Sequence, residues 1–180
     1  MTVRVACCQI SPDVGDPAAN AAVARRAIAT AVDGGAQIVV LPELVNSGYV
    51  FRSIDEARAA AVPADGELLQ SWAEEAARGD ALVVAGFCET TSEGRLFNSA
   101  ALLDGRGVLA VYRKLHLWAE ERRWFAAGEQ QAPVVETKYG RIGLGICYDI
   151  EFPELTRGLA LRGARDARAA RELAARPVAA

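Results

Sequence analysis

Apolar residues fall into short dense runs separated by amphipathic stretches, the alternation expected of an α/β protein with a β-rich middle. Residues 3–10 are nearly all apolar and predict a strand buried on both faces. Asp16-Pro17 then supplies N-cap and first-turn chemistry for a helix with the stripe Val23, Ala27, Ile28 and Ala31, which Gly34-Gly35 stops. Residues 36–44 form a run too short for a helix, ending on Pro42-Glu43 before Asn46-Ser47-Gly48-Tyr49 breaks it, so Glu43 stands at a strand's carboxyl end. A second helix is predicted over about 66–78, with Leu68, Leu69, Trp72 and Ala76 on one face and Gly79 at its end. Residues 81–89 read as a strand, and 96–103 joins 108–112 through the hairpin composition Asp104-Gly105-Arg106-Gly107. No repeat or linker interrupts the series.

The strand ends carry the candidate chemistry. Ile142, Leu144 and Ile146 alternate with Gly143 and Gly145, a strand with one apolar face and one stripped of side chains. It ends on Cys147, just before a helix primed by Pro153 and continued by Leu155, Leu159 and Leu161. A cysteine there is either a nucleophile on a strand-to-helix turn or an inert buried thiol. Lys114 follows the 108–112 strand and Glu43 follows the second. Ligands of open α/β sheets bind at strand carboxyl ends, so Glu43, Lys114 and Cys147 are candidates for one site.

Leu41-Pro42-Glu43, Tyr112-Arg113-Lys114-Leu115-His116-Leu117, and Gly145-Ile146-Cys147-Tyr148-Asp149 with Phe152-Pro153-Glu154 resemble, in order, the three signature segments of the nitrilase superfamily of carbon-nitrogen hydrolases. The resemblance covers residues 3 to about 163 and implies a four-layer α-β-β-α sandwich. It implies the catalytic triad Glu43, Lys114 and Cys147, and a second glutamate at Glu121, with Glu120 the alternative because Ala127 replaces the family's usual proline. Cys147 would attack an amide carbonyl and Glu43 would take and return the proton. Lys114 and the backbone N–H of Tyr148 would hold the oxyanion. Water positioned by Glu121 would then release the acid from a thioester. Cys147-Tyr148-Asp149 is more like aliphatic amidases or N-carbamoyl hydrolases than true nitrilases, which usually carry Trp-Glu after the cysteine. The expected substrate is therefore a small amide or N-carbamoyl amine, with no cofactor and no metal. Tyr49, Phe51 and Trp118 either wall the pocket or are plain core. His116, the only histidine, is expected to support the site structurally rather than form a Cys-His dyad.

Composition narrows the class without naming a reaction. The 180 residues are 52% hydrophobic and 24% charged, enough for one core, and a net charge of −3 argues against a nucleic-acid partner. No run is long and uncharged enough for a membrane span, and residues 1–10 lack the order of a signal peptide. Cys7, Cys8, Cys88 and Cys147 have no metal-ligand spacing, which suits a reducing cytoplasm. Residues 164–180 hold eight Ala and four Arg, with only Leu173 and Val178 as larger aliphatics. The expectation is a hydrolase domain over 1–163 lacking its C-terminal part, followed by an exposed helix or a disordered end of the kind a frame shift or truncation leaves. Uncovered sheet edges would make the chain a homo-oligomer. The competing expectation is an inactive remnant or interaction module.

Overall fold

The computed structural model describes residues 2–164 and 166–170. Five strands form one sheet in the order β1 (Val5–Cys7), β2 (Ile38–Val40), β3 (Leu82–Thr90), β4 (Leu96–Asp104), β5 (Gly107–Arg113). The first three are parallel, and β3, β4 and β5 are antiparallel neighbours. A second sheet has the order β6 (Val134–Thr137), β7 (Gly140–Ile146), β8 (Asp166–Ala170), with β7 antiparallel to β6 and parallel to β8.

Strand alternation builds the layers. Val39, Val83, Ala85, Phe87, Ala101 and Leu103 face helices α1 (Pro17–Asp33) and α3 (Glu67–Arg78), whose Ala24, Ile28, Leu69 and fully buried Trp72 complete that core. The other face, with Ile38, Leu82, Val84, Ala100, Leu102 and Tyr112, packs on Ile142, Leu144 and Ile146 of β7. Behind β7 lies α4 (Pro153–Leu161), through Leu155 and Leu159. The order is helices, sheet, sheet, helix, the four-layer sandwich expected. A Cβ on Gly143 would meet Leu159 at 3.0 Å, so the bare face of β7 admits the helix.

Several local expectations shift. Residues 3–10 give only a three-residue strand, and β1 is an edge strand with Cys7 exposed rather than one buried on both faces. Val3 and Val5 pack toward the second sheet and Ala6, Cys8 and Ile10 toward the helices, so the apolar run serves two cores from an edge. Asp16 caps α1 by accepting from Ala19 N at 2.9 Å, but the buried stripe is Asn20, Ala24, Ile28 and Val32; of the expected stripe only Ile28 is fully buried. Asn20 is polar and still inside because its side chain bonds Asp13 and the Asn46 carbonyl. Helix α2 (Ile54–Ala60), capped by Ser53, and strand β6 add to the expected elements.

The expectation of an exposed helix or disordered end after residue 163 is overturned for 166–170. These residues pair with β7 from Ile142 opposite Asp166 to Ile146 opposite Ala170. Parallel pairing uses backbone groups, which every non-proline residue of an Ala/Arg sequence carries. Residues 165 and 171–180, on which the rest of that expectation falls, lie outside the described residues.

Candidate active site

The carboxyl ends of β2 and β5 and the amino end of β4 meet at one edge of the first sheet, and the end of β7 faces them from the second. After β2 the chain runs on beside β3, with Leu41 N donating to Val84 O and Val45 N to Gly86 O. Gly86 permits that crossing: a Cβ there would lie 2.5 Å from Glu43 Cα and 2.8 Å from Pro42 O. Leu44 then takes φ 50°, and Asn46 pins the loop by accepting from Cys88 N at 2.8 Å and donating to Ala60 O.

Glu43, Lys114 and Glu121 come together in the interior. Lys114 Nζ lies 2.7 Å from Glu43 Oε1 and 2.9 Å from Glu121 Oε1, and its side chain is wholly buried. Burial works against the ammonium charge, but the two carboxylates outweigh it and its pKa is raised. Glu43, buried at 1% exposure, is pushed up to about 7, chiefly by burial and further by Glu121, against the pull of Lys114 and Asn98. Glu121 sits on a 3₁₀ turn (Ala119–Arg123), and its Oε2 accepts from Trp118 N at 2.6 Å. Glu120 instead faces solvent and pairs with Arg123, so the alternative position lies outside the cluster. Gly128 closes this segment by donating to Lys114 O at 2.8 Å, and a Cβ there would collide with Arg113 O.

Cys147 begins a 3₁₀ turn (Cys147–Glu151) straight from β7, with φ 45°. A non-glycine residue in that region is strained by about 1–3 kcal/mol and is held there by its surroundings. Its thiol is pushed up to about 11 by burial first and then by the Glu43 carboxylate, against Lys114. Such a thiol is neutral at pH 7. Asp149, fully buried, fixes the turn: Oδ2 accepts from Ile146 N and Tyr112 Oη, and Oδ1 from His116 N and the His116 ring. One carboxylate thus ties the cysteine turn to the lysine segment. His116 stacks on Phe152 at 3.6 Å and pairs with Asp149, a structural position.

The remaining predicted residues separate. Tyr49 is half-buried, and its hydroxyl, which has no hydrogen-bond partner among the described residues, is raised in pKa by burial and by Glu121 and Glu43. Phe51 belongs to the core with Trp124 and Phe125, not to the pocket. Trp118 is half-exposed, and its backbone rather than its ring meets Glu121. Tyr148 packs edge-on to Phe152, and its N–H stands in the first turn after the strand, where helical N–H groups lack internal acceptors. Asn98 went unread in the sequence. Its Nδ2 donates to Glu43 Oε1 at 2.6 Å and Glu121 Oε1 at 2.7 Å. Among the described residues no group of His, Cys, Asp and Glu could hold a metal, and no helix is long and apolar enough to cross a membrane.

Known proteins share this sequence pattern and fold. The model of the carbon-nitrogen hydrolase family matches residues 4–166. A nitrilase of Pyrococcus abyssi is 37% identical over 164 residues, which is 90% of this chain and 62% of that protein. An (R)-stereoselective amidase of Pseudomonas sp. is 37% identical over 162 residues, 90% of this chain and 57% of that protein. The chain therefore spans about 60% of the length of these relatives. A mutant of the amidase from Nesterenkonia sp. AN1, bearing the product of Michael addition of acrylamide at its active-site cysteine, superposes with a TM-score of 0.80. It is 31% identical, with 98% of this chain and 69% of that one covered. With two sheets, their flanking helices and a buried Glu-Lys-Glu cluster facing a strained cysteine, this chain belongs to the carbon-nitrogen hydrolase family, in the amidase branch of the nitrilase superfamily.

Proposed function

We propose that the protein hydrolyses a non-peptide carbon–nitrogen bond of a small amide or N-carbamoyl amine through a thioester on Cys147. The observation that carries this reading is Lys114, wholly buried between Glu43 and Glu121 opposite a cysteine at φ 45°. Glu43 Oε1 is committed to Lys114 and Asn98, while Oε2 has no partner among the described residues and is the oxygen left to take the thiol proton. Because the thiol rests neutral, proton transfer accompanies attack on the carbonyl carbon. An ammonium has three N–H groups; two serve the carboxylates, and the third is left for the developing oxyanion beside the Tyr148 N–H. Glu43 returns the proton to the leaving ammonia or amine. Water, held by Glu121 and deprotonated by Glu43, then attacks the thioester and frees the thiol with the acid, a carboxylic acid from an amide, or from an N-carbamoyl amine a carbamic acid that breaks down to amine and carbon dioxide.

Tyr49, whose hydroxyl lies near both carboxylates and has no partner among the described residues, is assigned to substrate binding, and Trp118 to the mouth of the pocket. The acrylamide adduct of the Nesterenkonia amidase supports a small amide as the substrate class. We further assign the protein to the cytoplasm, as a homo-oligomer. Ammonia release from short aliphatic amides and N-carbamoyl amines tests the reading. Cys147→Ser should abolish release while circular dichroism stays native, Lys114→Ala should abolish it in a destabilised chain whose circular dichroism still shows the fold, and release surviving in Cys147→Ala would refute the reading.

A further inference from the structure

Asn98 is an uncharged side chain that, like Lys114, touches both carboxylates, and it does so from the middle of the fold. It lies on β4, fully buried, opposite Cys88 of β3. Its main-chain oxygen accepts from Lys114 N at 2.9 Å, and its Nδ2 reaches Glu43 and Glu121. Three members of the cluster are therefore referenced to one residue of a central strand. The neighbouring Ser99 and Arg113 point to the opposite face, where both bond Glu89, so the strand period alone brings Asn98 and Lys114 to the same side.

A primary amide nitrogen carries two N–H groups, and here each has its own carboxylate oxygen. The reversed amide would set Oδ1 against two carboxylate oxygens, so the orientation is forced. Serine has one donor, aspartate none, and glutamine is one methylene too long for the same strand position. Nδ2 and Lys114 Nζ also meet the same two oxygens, Glu43 Oε1 and Glu121 Oε1. That double commitment leaves Glu43 Oε2 as the atom of the base with no partner among the described residues.

We propose that Asn98 is a positioning residue that bridges Glu43 and Glu121, fixing which oxygen of Glu43 is free and favouring the charged form of that base by donating to it. The inference rests on the hydrolase reading for its catalytic meaning, but its effect on Cys147 can be read without turnover. The titratable groups facing Glu43 are Lys114 from the end of β5, Glu121 from its 3₁₀ turn, Cys147 from the end of β7 and Tyr49 from the loop after β2. Donors to a carboxylate favour its charged form, so removing the Asn98 amide raises the pH at which Glu43 ionises. Glu43 and Cys147 titrate as a coupled pair, and it is their first step that moves up.

The experiment is the pH dependence of acrylamide addition to Cys147, followed by peptide mass spectrometry on the 180-residue protein and its Asn98→Leu and Asn98→Asp variants. Both should shift the midpoint of the acidic limb to higher pH, Asn98→Asp further because it adds a third carboxylate. Where amide turnover is measurable, kcat/KM should fall on the order of 10- to 100-fold with the same shift, the loss expected for hydrogen bonds to charged groups. A midpoint unchanged in a folded variant overturns the bridging role, whether or not the protein hydrolyses amides. Absent turnover with a shifted midpoint upholds the bridge and counts against the hydrolase reading alone. Should neither variant fold, the wild-type Asn98 side-chain amide resonances decide: both protons must titrate with the Cys147 midpoint, and a pH-independent pair overturns the proposal.

Discussion

Glu43 and Lys114 balance opposing physical demands. Burial raises Glu43 from 4.5 to about 7, while Lys114 and Asn98 keep it from rising further. A base with that value is half-ionised near neutrality, so kcat/KM should climb with pH through about 7 in a pH–rate profile. The stability consequence has the opposite sense. A carboxyl raised above its unfolded value contributes stability in full below about 4.5 and loses it as pH rises through about 7. Chemical denaturation of Glu43→Gln should therefore show a flatter pH dependence across that window than wild type. Replacing Lys114 is costlier, because two buried carboxylates then face each other without a cation. Lys114→Met should destabilise by about 3–5 kcal/mol at neutral pH and recover part of that below pH 5, as urea unfolding would show. At this scale the sequence was legible where a residue terminates a strand: Glu43, Lys114 and Cys147 follow apolar runs and turn signals. Asn98 was not, because an asparagine inside a strand acquires meaning only from residues 55 positions before it and 23 after it.

Elements carry the site through close backbone approach. Gly86 lets the chain around Glu43 cross β3, so Gly86→Ala should cost about 1–3 kcal/mol and reduce turnover more than stability explains. Gly158→Ala, in α4 with nothing within 4 Å of the added Cβ, should be neutral or stabilising by about 0.5–1 kcal/mol and leave turnover intact. Thermal melts alongside assays separate the two. Asp149 joins the turn after β7 to the segment after β5, and Asp149→Ala leaves the Ile146 and His116 N–H groups and the Tyr112 hydroxyl without their acceptor. A loss of about 2–4 kcal/mol and of Cys147 selectivity toward acrylamide is expected, while exposed Cys7 labels as before. Periodicity revealed the long elements α3, β3, β4 and β5. It misplaced the α1 stripe because buried Asn20, paid for by its hydrogen bonds, looks polar in a hydropathy pattern. It missed β8 because backbone pairing with β7 needs no apolar side chain.

The four layers bring the two halves of the chemistry from different sheets. Glu43, Lys114 and Asn98 belong to the first sheet and its extensions, whereas Cys147 belongs to the second, so the site exists only while the inter-sheet core of Ile38, Val84, Leu102, Leu144 and Ile146 is closed. Leu144→Ala, which opens that core by about 2–5 kcal/mol, should lower the Cys147 labelling rate in proportion to the population unfolded or loosened, as hydrogen exchange of β7 amides would report. The family and the sandwich were readable from three ordered segments, since each motif sits where two layers meet. What ties those segments together, Asn98 beside the first sheet and Asp149 between the two sheets, emerges only in three dimensions. The most direct test of the account is rapid-quench mass spectrometry of the protein with a short aliphatic amide. The account predicts an acyl mass on the peptide containing Cys147, formed before the acid appears and absent in Cys147→Ala. Acid and ammonia released by Cys147→Ala at the wild-type rate, with no acylated peptide in either protein, would contradict it.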